Sequence, residues 1–279
     1  MSLKAKINNI AIKNNASPQA TLAIYMFERI LMRIEQSKYK DNIILKGGLL
    51  LSSLIGIDMR TTRDMDANLK GIILEKENID KIFNEILSID LNDDIKFKIT
   101  GIDDIRKKDK YDAFVIEIDA IYETMTVPIS IDISTGDVIT PKEMKYKYKK
   151  IFEDGYINLI AYTIETVIAE KFETIITRGV NNTRAKDFYD LYMLMKTYKE
   201  LNTKILVSAI DNTFNARKTE NYLSNMEEIN EELENSDNLL NIWNIFSKTN
   251  NFANGTTYKQ VVSSVKEIIN ILADEKISV

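Results

Sequence analysis

The 279-residue chain contains no cysteine and no histidine, and only three prolines, nine glycines and one tryptophan. The two complete absences exclude disulfide scaffolds, thiolate or imidazole zinc sites, iron–sulfur clusters, thiol nucleophiles and any Ser-His catalytic pair. An enzyme built from this chain must do its proton and metal chemistry with carboxylates, lysines, tyrosines and hydroxyls. A cysteine-free chain is compatible with the cytosol. No apolar run approaches the roughly 18 residues of a membrane span. The opening residues Met1 to Ile7 carry lysines but no apolar segment behind them, so neither a leader nor a membrane association is expected, and the expected location is cytoplasmic. Basic charge is also in short supply: the net charge is −5 and the isoelectric point near 5.2, which excludes a basic nucleic-acid coat while allowing a local basic patch.

What is present is the balance of an ordinary globular protein, 44% hydrophobic and 28% charged. Ser17-Pro18 sets up a helix N-terminus, and Leu22, Met26, Phe27, Ile30 and Ile34 continue it at helical spacing to about residue 38. Ile43 to Leu45 read as a strand that breaks at Gly47-Gly48, followed by a short apolar helix over 49–55. Strands are expected over 63–69, 95–99, 114–121 and 127–133, with a helix over 78–89. Two short strands, 146–152 and 156–161, close the first half. From Ile164 onward the pattern is helical: 164–177, 183–198, 204–214, 226–233, 239–246 and 258–273. The expected class is therefore α+β, a mixed sheet with flanking helices over residues 1–161 followed by a helical bundle over 162–279.

The chemistry concentrates at Gly47-Gly48 and Asp64-Met65-Asp66. Residues two apart on a strand share a face, so Asp64 and Asp66 present two carboxylates together, an arrangement that a hard divalent cation relieves. A glycine turn entering a helix frees backbone N–H groups for a phosphate. Asp132, between Ile131 and Ile133, adds a carboxylate among apolar residues, costly unless paired or metal-bound. Against these stand plainer readings: a solvated acid pair, a simple turn, and Glu117 with Asp119 as rivals to Asp132 for the third position. Further on, Lys171 lies on an otherwise apolar helix. Arg184, Asp187 and Leu191 fall on one helical face, which equally suits a salt-bridge network of Glu170, Arg184, Lys186, Asp187 and Asp190.

These motifs, in this order, resemble the nucleotidyltransferase superfold. Lys46 to Leu51 with Arg60-Thr61-Thr62-Arg63-Asp64-Met65-Asp66 is similar, more narrowly, to the AbiEii abortive-infection family, toxins of type IV toxin–antitoxin systems. The stretches Glu165 to Phe172 and Arg184 to Tyr192 resemble that family's lysine and R-x-K-D-x-x-D motifs. The resemblance implies a metal-dependent nucleotidyltransferase in which Asp64, Asp66 and Asp132 hold Mg²⁺ or Mn²⁺ and Asp132 also holds or activates the acceptor hydroxyl. It implies catalytic roles for Lys171 and Asp187, with Asp187 preferred over Asp190. Gly47, Gly48, Thr62, Arg184, Lys186 and Asp190 would bind nucleotide or phosphate. Gly48, followed by Leu49, stands where many nucleotidyltransferases carry serine straight after glycine, which leaves phosphate contacts more to backbone and to Ser52 or Ser53. The helical half is expected to complete the active-site cleft. The implied partners are an NTP (GTP or a pyrimidine NTP), an RNA acceptor such as a tRNA 3′ end, and an antitoxin acting without a stable complex. A small-molecule or protein hydroxyl acceptor, or a GTP-binding module without turnover, remain the alternatives.

A basic run of Lys142, Lys145, Lys147, Lys149 and Lys150 against Glu143, interleaved with Tyr146 and Tyr148, offers lysines for phosphates and tyrosines for base stacking. Its rival is a charged, solvated strand face. Asp90 to Asp94 begins like a calcium loop but has Ile95 where the turn glycine belongs and Gly101 where the final glutamate belongs, so it reads as a polar turn. Trp243 and Met193-Leu194-Met195 read as core.

Overall fold

The computed structural model describes residues 2–56, 58, 62, 64–105 and 113–277. Arg60, Thr61 and Arg63 of the R-T-T-R stretch lie outside the described residues. The chain divides into two units, Met1–Asp137 with Glu143–Tyr162, and Val138–Lys142 with Thr163–Val279.

The first unit is built on a seven-stranded mixed sheet, in the order β3-β4-β5-β2-β1-β7-β6. The strands are β1 (Ile43–Lys46), β2 (Asp64–Leu69), β3 (Ile95–Asp104), β4 (Ala113–Tyr122), β5 (Met125–Ser134), β6 (Met144–Lys149) and β7 (Tyr156–Ala161). β2 runs parallel to β5 and β1 parallel to β7, while the other neighbours are antiparallel. Alternation divides the sheet cleanly. Leu45, Met65, Ala67, Ile116, Ile118, Ile131, Ile133, Ile157 and Leu159 lie buried on one face. The opposite face carries Lys46, Asp64, Asp66, Asn68, Ser130, Asp132 and Glu117, as the registers require.

Four helices accompany the sheet: α1 (Leu3–Lys13), α2 (Pro18–Gln36), α3 (Gly47–Ile55) and α4 (Lys76–Leu87). α2 starts as the sequence predicts, with Ser17 Oγ accepting from the Ala20 N–H at 3.1 Å. Its buried Arg33 holds Asp93 through two bonds of 2.9 and 2.8 Å and the Ile95 carbonyl at 3.0 Å. The polar turn at 90–94 is therefore a docking point for α2. α1 escapes the sequence reading because it buries only Ile7 and Ala11.

The second unit is helical: α5 (Ile164–Arg178), α6 (Ala185–Thr197), α7 (Thr203–Arg217), α8 (Met226–Glu234), α9 (Asp237–Thr249) and α10 (Tyr258–Ile277). Phe172, Ile176, Leu191, Leu194, Ile210, Phe214, Val265 and Ile269 form its core. Trp243 is buried, stacks near Tyr189 and donates to the Thr256 carbonyl at 3.1 Å, and Met193 to Met195 are buried too. Both groups are core, as expected. No helix among the described residues is long and apolar enough to cross a membrane.

Candidate active site

In the first unit the site begins where β1 ends. Gly47 has φ +62°, a left-handed conformation that turns the strand directly into α3. A Cβ added there would sit 1.9 Å from Asp66 Oδ2, so the position has neither the backbone freedom nor the space for a side chain. Beside it the Gly48 N–H donates to Asp66 Oδ2 at 3.1 Å. Asp66 thus occupies one of the free N–H groups at the start of α3, the place where the sequence suggests a phosphate.

The registers settle the neighbours of the acid pair. Asp66 stands opposite Asp132 on β5 and opposite Lys46 on β1, and Asp64 stands opposite Ser130. Asp64, Asp66 and Asp132 therefore share one face on adjacent strands, all half-buried. Glu117 shares that face but lies on β4, opposite Ser130, one strand further from the pair than Asp132. Thr62, expected to meet phosphate, is buried and donates its hydroxyl to Asp64 Oδ1 at 2.5 Å, which fixes the carboxylate's direction. Ser52 donates to the Gly48 carbonyl at 2.9 Å, and Ser53 bonds to the Leu50 carbonyl and to Tyr146. Both serines serve the fold, so the phosphate contacts expected of them fall to other groups.

Carboxylate oxygens suit Mg²⁺ or Mn²⁺, and three of them on one sheet face match such an ion in donor type. Among the described residues, however, no three acidic side chains are drawn together as a preformed metal set. Asp66 and Asp64 are turned to Gly48 and Thr62.

A network that the sequence did not reveal lies alongside. Lys46 ion-pairs with Asp137 and donates to Ser134 Oγ at 2.6 Å. Tyr162 donates to Asp137 at 2.5 Å and accepts from Asn68 at 3.1 Å. The only sequence signal was a lysine ending an apolar strand. Burial pushes the Asp137 carboxyl up, but the Lys46 charge and the bonds from Lys46, Tyr162 and Ser134 outweigh it and hold the group below its ordinary value. Its stabilisation is therefore complete above the ordinary carboxylate range and is lost as pH falls through that range toward the folded value. Asp137→Asn is expected to lower the urea midpoint at pH about 7 and to differ much less from wild type below pH about 4. A constant difference across both pH values would refute this account.

In the second unit Lys171 of α5 meets two carboxylates of α6, Asp187 Oδ1 at 2.5 Å and Asp190 Oδ2 at 3.0 Å. Both acids are buried. Arg184, exposed at the start of α6, reaches Asp187 Oδ2 at 2.9 Å, the i,i+3 pair that the spacing predicts. Asn182 orders this entry by accepting from the Arg184 N–H at 2.8 Å. Lys186 is half-buried one position before Asp187. Glu170 pairs with Arg217 of α7 at 3.2 Å, as Glu173 also does. Arg217 was not singled out from sequence, since nothing local marks it.

The AbiEii family, described as nucleotidyl transferase toxins of type IV toxin–antitoxin systems, matches residues 29–262. Two solved structures from Helicobacter pylori share the fold. JHP933 is 15% identical with a TM-score of 0.53, covering 94% of this chain and 97% of its own. The other, described as a candidate nucleotidyltransferase, is 15% identical with a TM-score of 0.52, covering 93% of this chain and 98% of its own. No curated protein matches. With the family match spanning most of its length, this chain belongs to the AbiEii family of nucleotidyl transferase toxins.

Proposed function

We propose that the chain transfers a nucleotide from an NTP to an RNA acceptor, a tRNA 3′ end, and arrests growth by doing so. The observation that carries this reading is the trio Asp64, Asp66 and Asp132 on one sheet face beside the Gly47-Gly48 turn. Asp64 and Asp66 would hold the divalent cation, with Asp132 beside them. When bound, the ion neutralises charge on the nucleotide phosphates and favours in-line displacement at phosphorus.

The chain's own groups do the rest. Thr62 orients Asp64, and Gly48 orients Asp66. Asp132, next to Asp66, accepts the proton of the acceptor hydroxyl as that oxygen bonds to the α-phosphorus and the α–β phosphoanhydride bond breaks, releasing pyrophosphate. In the second unit Lys171 is held in place by Asp187 and Asp190, and Arg184 and Lys186 add positive charge at the start of α6. An antitoxin acting without a stable complex completes the system.

The test is purified protein with Mg²⁺ or Mn²⁺, each radiolabelled NTP in turn, and total tRNA. Wild type is expected to label tRNA, and Asp64→Ala or Asp66→Ala to lose at least about a hundredfold of that rate, as loss of a metal clamp would. No labelled RNA with any NTP, or equal labelling by Asp64→Ala, overturns the proposal. Label found instead on protein or on a small molecule would reassign the acceptor.

A further inference from the structure

The basic run does not present itself as its sequence suggests. Tyr146 and Tyr148, the interleaved aromatics, turn to the inner side of β6. Tyr148 is fully buried, and the Tyr146 hydroxyl bonds to Ser53 at 2.9 Å. Neither is placed to stack on a base. Lys145, Lys147 and Lys149 all point to the other face and are exposed. Among the described residues none of the three makes an ion pair, whereas Lys150 is drawn to Glu153 and Glu143 to Lys70. Alternate residues on a strand stand about 6.6 Å apart, so the three form an evenly spaced row along the sheet edge.

The neighbouring strand supplies the aromatic. Lys149 stands opposite Tyr156 on β7, which is 57% exposed on the same face. That face is also the face of the carboxylates. Lys145 pairs with Ile160, Ile160 with Ile44, and Lys46, two residues on from Ile44, with Asp66. Three strand spacings, about 14 Å, separate β6 from β2. Beside the adjoining strand, Glu35 of α2 is bonded to the backbone and side chain of Asn158.

We infer that Lys145, Lys147, Lys149 and Tyr156 form a binding surface for single-stranded RNA leading to the carboxylates. The lysine row follows consecutive phosphates and Tyr156 stacks one base, a combination that holds a strand with little regard to sequence. The inference rests on the proposed transfer to RNA and names how that substrate is held.

The test is fluorescence polarisation of the full chain with short fluorescent oligoadenylate and oligouridylate over a range of salt. The K145A/K147A/K149A variant is expected to bind both at least about tenfold more weakly, with the salt slope reduced by about two, as loss of three single-strand phosphate contacts implies. Tyr156→Ala should weaken binding about fivefold or more, with Tyr156→Phe keeping wild-type affinity. All four residues are exposed on strands, and circular dichroism confirms that the variants fold. Unchanged affinity and slope in the triple variant would overturn the inference, leaving the lysines as guards of a sheet edge. So would a wild-type chain that binds neither oligonucleotide. The two readings fail separately: labelled tRNA from an unaltered triple variant removes the surface and keeps the transfer. A lysine-dependent slope without labelled product removes the transfer and keeps the surface.

Discussion

Gly47→Ala is expected to lose at least about a hundredfold of transferase activity while the sheet stays folded. Two independent penalties meet at this residue. An L side chain at φ +62° costs about 1–2 kcal/mol, which a sheet with so large a core tolerates. The new methyl would also arrive 1.9 Å from Asp66 Oδ2, so either the carboxylate or the turn must move by more than an ångström. Displacement of that order at a reacting group costs about a hundredfold. Thermal melting and labelled-NTP transfer, measured on the same preparation, separate the two penalties. A Gly47→Ala chain as active as wild type would show that Asp66 need not stand where it does.

The second large effect concerns Lys171. Its ammonium is the charge between two buried carboxylates, Asp187 and Asp190. Lys171→Met removes the cation that the two buried carboxylates share, while Arg184 still reaches Asp187. Breaking a buried pair in this way costs about 3–5 kcal/mol. Urea denaturation should therefore show a large fall in midpoint, and growth inhibition in cells should vanish with it. The triple variant Lys171→Met, Asp187→Asn, Asp190→Asn removes the stranded charges and is expected to recover most of the stability. Its activity then tells what the cluster does. Recovered stability without recovered transfer assigns the cluster to the chemistry, and recovery of both confines it to holding α5 against α6.

Most of the sheet is legible in the sequence because strands with one buried face advertise a period of two. Ile129, Ile131 and Ile133 alternate with Ser130 and Asp132, and the observed β5 contains them all. β6 is harder. Lys and Tyr alternate through Lys145 to Lys149, but Ile151 and Phe152 beyond them are apolar too, so the expected strand slides toward its C-terminus, starting two residues late and ending three residues late. That slide leaves the alternation intact and hides which set faces inward: tyrosines carry enough apolar area to be buried, and lysines do not. The aspartates of the site could be read because their spacing alone puts them on one face. Their partners could not. Asp66 to Gly48, Thr62 to Asp64 and Lys46 to Asp137 depend on which hydroxyl or N–H lies nearest once β1, β2 and β5 are side by side. A sequence states residue types, and hydrogen-bond partners are a property of the assembled sheet.

The parallel pairing of β2 with β5 has a kinetic corollary. β3, β4 and β5 can form a meander from local hairpins, and β1 and β2 can pair on their own. Asp66 meets Asp132 only when those two pieces dock, and β7 must then return from beyond residue 155 to lie along β1. Such long-range parallel pairings are the slow events of folding, since their loop-closure entropy must be met before any contact forms. The carboxylate trio thus depends on one of the slower pairings of the sheet. A nascent or truncated chain that stops short of β5 has two of the three acids, so the trio is withheld until residue 134 of the 279 has been made.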